Sequence, residues 1–142
     1  MKALKLVIEY DYDCLHLLGI ISSMKDYTLA WNLNKIFNLN FRKEEDLRYD
    51  SAKGGYFFIS NFIFETEFST FRLLKNRATE FVNTLKPFIA PEIKHYDYIF
   101  VIESEDGVEI EGFKSKIKFI NNIELVTVVD CQELESKSNF LL

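Results

Sequence analysis

Cysteine, proline and glycine are scarce in this 142-residue chain, which has two, two and five of them. Cys14 and Cys131 stand too far apart in sequence for the paired spacing of a zinc, iron–sulfur or dithiol motif. They read as buried reduced thiols, with a single long-range disulfide as the alternative. So few prolines and glycines beside 48% apolar residues exclude a disordered or collagen-like chain. Long apolar runs are missing as well, so no membrane span is expected. Met1 to Asp13 alternates charged and apolar residues and lacks a signal-peptide core. GxGxxG, phosphate-loop and paired CxxC motifs are absent, and Gly54-Gly55 is a lone turn. The net charge of −5 argues against a broad phosphate-binding face. Lys114, Lys116 and Lys118, with Lys86 and Lys94, are the nearest thing to a basic patch, but lysines at spacing two cannot share one helical face and read as a solvated helix. These absences predict a cytoplasmic protein without membrane, nucleic-acid or cofactor partners.

What is present is aromatic and apolar. Fourteen phenylalanines supply packing material for one domain spanning residues 1–142. Leu4, Leu6 and Ile8 alternate with charged or smaller neighbours as a half-buried strand, and Leu15 to Ile21 is a second extended segment. Ser22 and Ser23 then offer caps to a helix from about Met24 to Asn38. Tyr27, Leu29, Ala30, Trp31, Leu33, Ile36 and Phe37 spread over a wider arc of that helix than a one-sided surface helix uses. The helix is therefore predicted to bury a second side, with Trp31 against a partner. Asn34 lies inside the arc and is expected to make a satisfied hydrogen bond, partner or ligand contact being the alternative.

Residues 40–55 are charged and turn-rich and read as a loop, with a short strand near Leu47 as the alternative. Tyr56 to Phe64 and Phe68 to Leu74 form a hairpin, and Phe81, Val82 and Leu85 suit a short helix ending before Pro87. Pro91 and Glu92 read as the first turn of a helix, since proline needs no donor there and glutamate suits the positive end of the dipole. Asp97 and Tyr98 then lead into a buried strand to Glu103. A turn at Glu105 to Gly107, a helix over about Gly112 to Asn122 and a strand over Ile123 to Val129 complete the order. The fold class is α+β: an antiparallel or mixed sheet covered by helices, ferredoxin-like (βαββαβ) in its first six elements, with an extra αβ unit. The apolar end of the chain, about residues 136–142 with Phe140, Leu141 and Leu142, is expected to dock, in cis or on a second chain.

Four blocks carry a family resemblance. They are Leu18-Gly19-Ile20 with Lys25-Asp26-Tyr27 and Ala30 to Lys35, then Arg72 to Asn76, then Pro91-Glu92 to Asp97-Tyr98, and lastly Leu134 to Leu142. In this order the chain resembles the IPExxxVDY family of Bacteroidetes proteins. Pro91, Glu92, Asp97 and Tyr98 match the signature, while Ala90 stands where the pattern has isoleucine and Tyr96 where it has valine. The resemblance implies no activity.

Three constellations bear on chemistry. Glu9, Asp11 and Asp13 at spacing two would share one face of a strand and suit a hard cation such as Mg²⁺ or Ca²⁺, or simply form a solvated strand end. His16 sits among leucines and reads as a core or interface residue. His95 at spacing two from Asp97 would need a nucleophile from Ser22, Ser23, Ser60 or Cys14, none of which lies in an elbow motif. The function expected is a non-enzymatic interaction or regulatory protein, acting as a homodimer or with a protein partner. The alternatives are a small-molecule sensor on a ferredoxin-like sheet and a metal-dependent enzyme using the acidic strand.

Overall fold

The architecture follows from strands that alternate between two apolar faces. This computed structural model describes residues 12–142, the side chain of Asp13 excepted. The predicted strand at Leu4 to Ile8 lies outside that range, as do Glu9 and Asp11. Strand β1 is Leu15–Ser22, β2 Arg42–Asp50, β3 Tyr56–Glu65, β4 Ser69–Lys75, β5 Glu80–Val82, β6 Tyr98–Ser104 and β7 Ile123–Val129. Helices α1 (Asp26–Phe37) and α2 (Ile110–Ile117) connect β1 to β2 and β6 to β7. The result is an α+β protein with a seven-stranded antiparallel sheet in the order β2-β3-β4-β6-β1-β7, and β5 pairs with β3 beyond the end of β4.

Period two divides the sheet. In β1, Leu18 and Ile20 join Phe100 and Ile102 of β6 beneath Leu29, Ala30 and Leu33 of α1 and Ile117 of α2. Leu15 and Leu17 join Ile99 and Val101 on the opposite face. No described α-helix covers that second face. Its cover is loops and short 3₁₀ turns: Ala78 from the β4–β5 connection, Ile89, Ala90 and Tyr96 from the β5–β6 connection, then Cys131, Leu134 and Phe140 from the C-terminal segment.

Three expectations need correction. Residues 42–50 are a strand, not a loop; β2 is an edge whose Leu47 and Tyr49 alone are apolar, so its alternation is hidden by charge. Phe81 and Val82 belong to β5, and no helix forms there: Leu85 is fully exposed and has no apolar face to bury. Pro91 opens only a single 3₁₀ turn, Pro91–Ile93. The other strands and both helices agree with the periodicity within a few residues. In α1 the C-terminus is closed by Asn38 in the left-handed conformation (φ 54°), its N–H bonding the Asn34 carbonyl.

Candidate functional site

The signature residues Pro91, Glu92, Asp97 and Tyr98 form structural joints. Their centre is Asn76, which immediately follows β4 and is fully buried. Its Oδ1 accepts from the Ala90 N–H at 3.0 Å, and its Nδ2 donates to the carbonyls of Ile93 and Tyr96, each at 3.0 Å. Its own N–H and C=O bond the Asp97 carbonyl and the Ile89 N–H. One side chain thus bonds three backbone groups of a segment that has no ladder of its own. Asn76 stands at the end of a sequence block and gave no signal as an anchor beyond being polar after an apolar run.

The partner of Asp97 is the backbone of β1. Asp97 Oδ2 accepts from the Ser22 N–H at 2.9 Å and the Asp97 N–H donates to the Ile20 carbonyl, so its carboxylate bonds β1 rather than His95. His95 is exposed and rests against the Tyr96 ring, with centroids 4.2 Å apart. The Tyr98 hydroxyl donates to the Met24 carbonyl just ahead of α1. Burial, aided by the charges of Asp26 and Asp97, pushes its pKa up to about 12.

Glu92 holds the C-terminal segment, not its own turn alone. Its two carboxylate oxygens accept from the Ser136 N–H (2.9 Å) and the Ser136 hydroxyl (2.6 Å). Burial works to raise its pKa, but these bonds and those from the backbone N–H groups of Glu92 and Glu135 outweigh it and hold it below 4.5. Asn139 adds a bond from Nδ2 to the Ile89 carbonyl and accepts one from the Tyr49 hydroxyl. Phe140 is 1% exposed and packs in the core of its own chain, so the tail docks in cis. Of the apolar end only Leu142 remains on the surface. Because the folded Glu92 pKa is lowered, its hold on Ser136 is complete above the unfolded value near 4.5 and fades as the pH falls through the folded one. The protection factor of the Ser136 amide is expected to drop on acidification in the wild type and to show no such step in Glu92→Gln. An unchanged profile in the variant would reject the clip.

Among the candidate nucleophiles the Ser60 hydroxyl bonds ionisable groups, and they are not the expected ones. Its hydroxyl donates to Asp26 Oδ2 at 2.8 Å and accepts from Lys43 Nζ at 3.0 Å, while Lys43 also binds Asp46 at 2.8 Å. Burial works to raise the Asp46 pKa, but hydrogen bonds from Lys43 and Thr79 and the Lys43 charge hold it down. Lys43 thus donates to Ser60 and to Asp46, and Ser60 in turn donates to Asp26. Ser60 itself is buried, and these groups tie β2 and β3 to the start of α1.

Two clefts remain. One, of about 560 Å³ at the end of the sheet, is lined by Glu65, Glu67, Glu103 and Glu105, and its hydroxyls bond one another, Ser69 to Ser104 at 2.8 Å. The other, about 420 Å³, lies between Leu85, Lys86, Pro91, Lys94 and Ser136. Among the described residues no group of three His, Cys, Asp or Glu side chains is placed to hold a metal.

The exposed face of α1 is the remaining candidate surface. Asn34 is not part of it in a functional sense: its Oδ1 accepts the Phe41 N–H at 2.7 Å and so closes the turn into β2. Tyr27 and Trp31, one helical turn apart, are 59% and 60% exposed. The over-wide arc is thus half used by the sheet and half left outside. The ammonium groups of Lys25 and Lys35 lie 5.9 and 5.2 Å from the two ring centroids. No helix of the described residues is long and apolar enough to cross a membrane. Comparisons of the chain with protein-family models, with curated proteins and with solved structures gave no match in any of the three.

Proposed function

We propose that this is a non-enzymatic interaction or regulatory protein of the cytoplasm, acting as a homodimer or with a protein partner, and a member of the IPExxxVDY family. The observation that carries the reading is the exposed pair Tyr27 and Trp31 on α1. Large amphipathic rings are the side chains from which interface hot spots are built, and here they stand on a rigid element. The fold reading goes with it. β6 and β7 both run antiparallel to β1, which lies between them, and α2 joins them. That split β-α-β supports a ferredoxin-like core extended by a longer meander.

Affinity purification from native cells, followed by reconstitution with the purified partner, tests the reading. Trp31→Ala is expected to weaken that complex by about 2 kcal/mol, roughly thirtyfold, while the melting temperature stays near that of the wild type. Equal binding by wild type, Trp31→Ala and Tyr27→Ala would remove α1 as the docking face.

A further inference from the structure

Among the described strands the sheet path ends on β2 and β7, and these two edges are guarded very differently. β2 is charged at every position except Leu47 and Tyr49, and its pairing shifts register between Glu44 and Leu47. Charge and bulge are the usual defences of an edge strand. β7 has Glu124 as its only charge and no proline, and it exposes Leu125 and Val128. Its one irregularity lies opposite Ile21 and Ser22, so Leu125 to Val129 pairs evenly with Ile21 to Leu17.

The direction of the free hydrogen-bonding groups can be read from β1. The Ile20 carbonyl and the Ser22 N–H both point to the β6 side, where they meet Asp97. By alternation, Leu17, Gly19 and Ile21 turn toward β7, where they face Val129, Thr127 and Leu125. Val126 and Val128 therefore direct their N–H and C=O groups outward from the sheet.

We propose that β7 pairs antiparallel with β7 of a second copy of this chain, about a two-fold axis at Thr127. This deepens the homodimer part of the reading above and rests on it. In that register Val126 and Val128 exchange backbone hydrogen bonds with Val128 and Val126 of the other copy. The two Thr127 side chains meet, and each Leu125 lies beside the other copy's Val129; both are favourable cross-strand pairings. The occupant is a second copy because a neutral apolar edge requires a neutral apolar strand in return. Of the two described end strands, β2 cannot provide one, whereas β7 matches itself. The same mismatch makes the contact isologous, so assembly closes at two and does not run on into a filament.

Sedimentation at high micromolar concentration, with amide exchange, provides the test. The wild type is expected to be a dimer in which exchange at Val126 and Val128 slows as concentration rises. Leu125→Lys and Val128→Pro are each expected to weaken the dimer by roughly tenfold or more. Val128→Pro removes an N–H that points outward and leaves the bonds to β1, so both variants are expected to keep the wild-type circular dichroism spectrum, with melting temperatures that no longer rise with protein concentration. A wild-type monomer overturns the proposal, and one with protected Val126 and Val128 amides would mean that another part of the same chain covers the edge. A dimer indifferent to both substitutions, or one lost only in Trp31→Ala, overturns it too. Partner binding that depends on Trp31 in a monomeric wild type would sink the β7 pairing and leave the earlier reading intact.

Discussion

Asn76→Ala is expected to destabilise the protein by about 2–4 kcal/mol, from two buried backbone groups left unpaired at roughly 1–2 kcal/mol each. The groups are the Ala90 N–H and the Tyr96 carbonyl, while the Ile93 carbonyl keeps the Tyr96 N–H. Since whole domains are stable by about 5–15 kcal/mol, this one side chain accounts for a large share of the margin. The comparator is Asn34→Ala, which loses mainly one bond, to the Phe41 N–H, and is expected to cost only about 1 kcal/mol. Urea denaturation of both variants makes the comparison. Equal losses in the two would show that the segment from Ile89 to Asp97 is held by packing and not by Asn76. Asn76→Asp is a sharper probe: it retains an acceptor for Ala90 but sets a carboxylate against two carbonyls, so it should be no milder than the alanine variant.

Gly19→Ala is the second large effect. A Cβ built on Gly19 would lie 2.7 Å from Cγ and Cδ1 of Tyr96 and 2.8 Å from Cδ2. The phenol ring rests on the glycine itself, so Tyr96 or β1 must shift. Overpacking of this kind typically costs about 1–3 kcal/mol, and the upper half of that range is expected between a strand paired on both sides and a buried ring. The signature the chain resembles has valine where Tyr96 stands, which supplies the second arm of the experiment. Tyr96→Val alone leaves a cavity and destabilises; in the double variant the two losses should add to less than their sum by about 1.5–3 kcal/mol. Strict additivity would mean that the ring and the glycine do not press on each other. The contact also explains why a residue of low strand preference occupies β1 between Leu18 and Ile20.

These two residues show what could and could not be read from the chain. Periodicity gave α1, the β3–β4 hairpin, β6 and β7, because each has one apolar face or two, and the sheet uses those faces directly. β2 was invisible because an edge strand is protected by charge, and charge at period one looks like a loop. The predicted helix at Phe81 to Leu85 failed because its apolar residues are exposed and have no shared face in the fold. Asn76, Glu92 and Asp97 were legible as polar residues in apolar settings, but their partners lie 14 to 75 residues away, and spacing carries no information about such bonds. The aromatic arc of α1 was legible in full. That half of it lies outside the core follows from the helix itself: at about 100° per residue Tyr27 and Trp31 stand on the side away from Leu29 and Leu33, which face the sheet.

The place of β1 has a consequence for how the chain is made. β1 is among the first described elements to leave the ribosome, yet both its neighbours, β6 and β7, come from the last third of the chain. The meander β2-β3-β4 can close as it emerges, since each strand pairs with the next. β1, with Leu15, Leu17, Leu18 and Ile20 uncovered, must wait for its first partner until β6, Tyr98–Ser104, has been made. Loops that long are slow to close, and an unpaired apolar strand is exposed to aggregation meanwhile. Newly made protein should therefore depend on chaperones until Val129 has cleared the exit tunnel, and moving β1 to the C-terminus by circular permutation should shorten that interval.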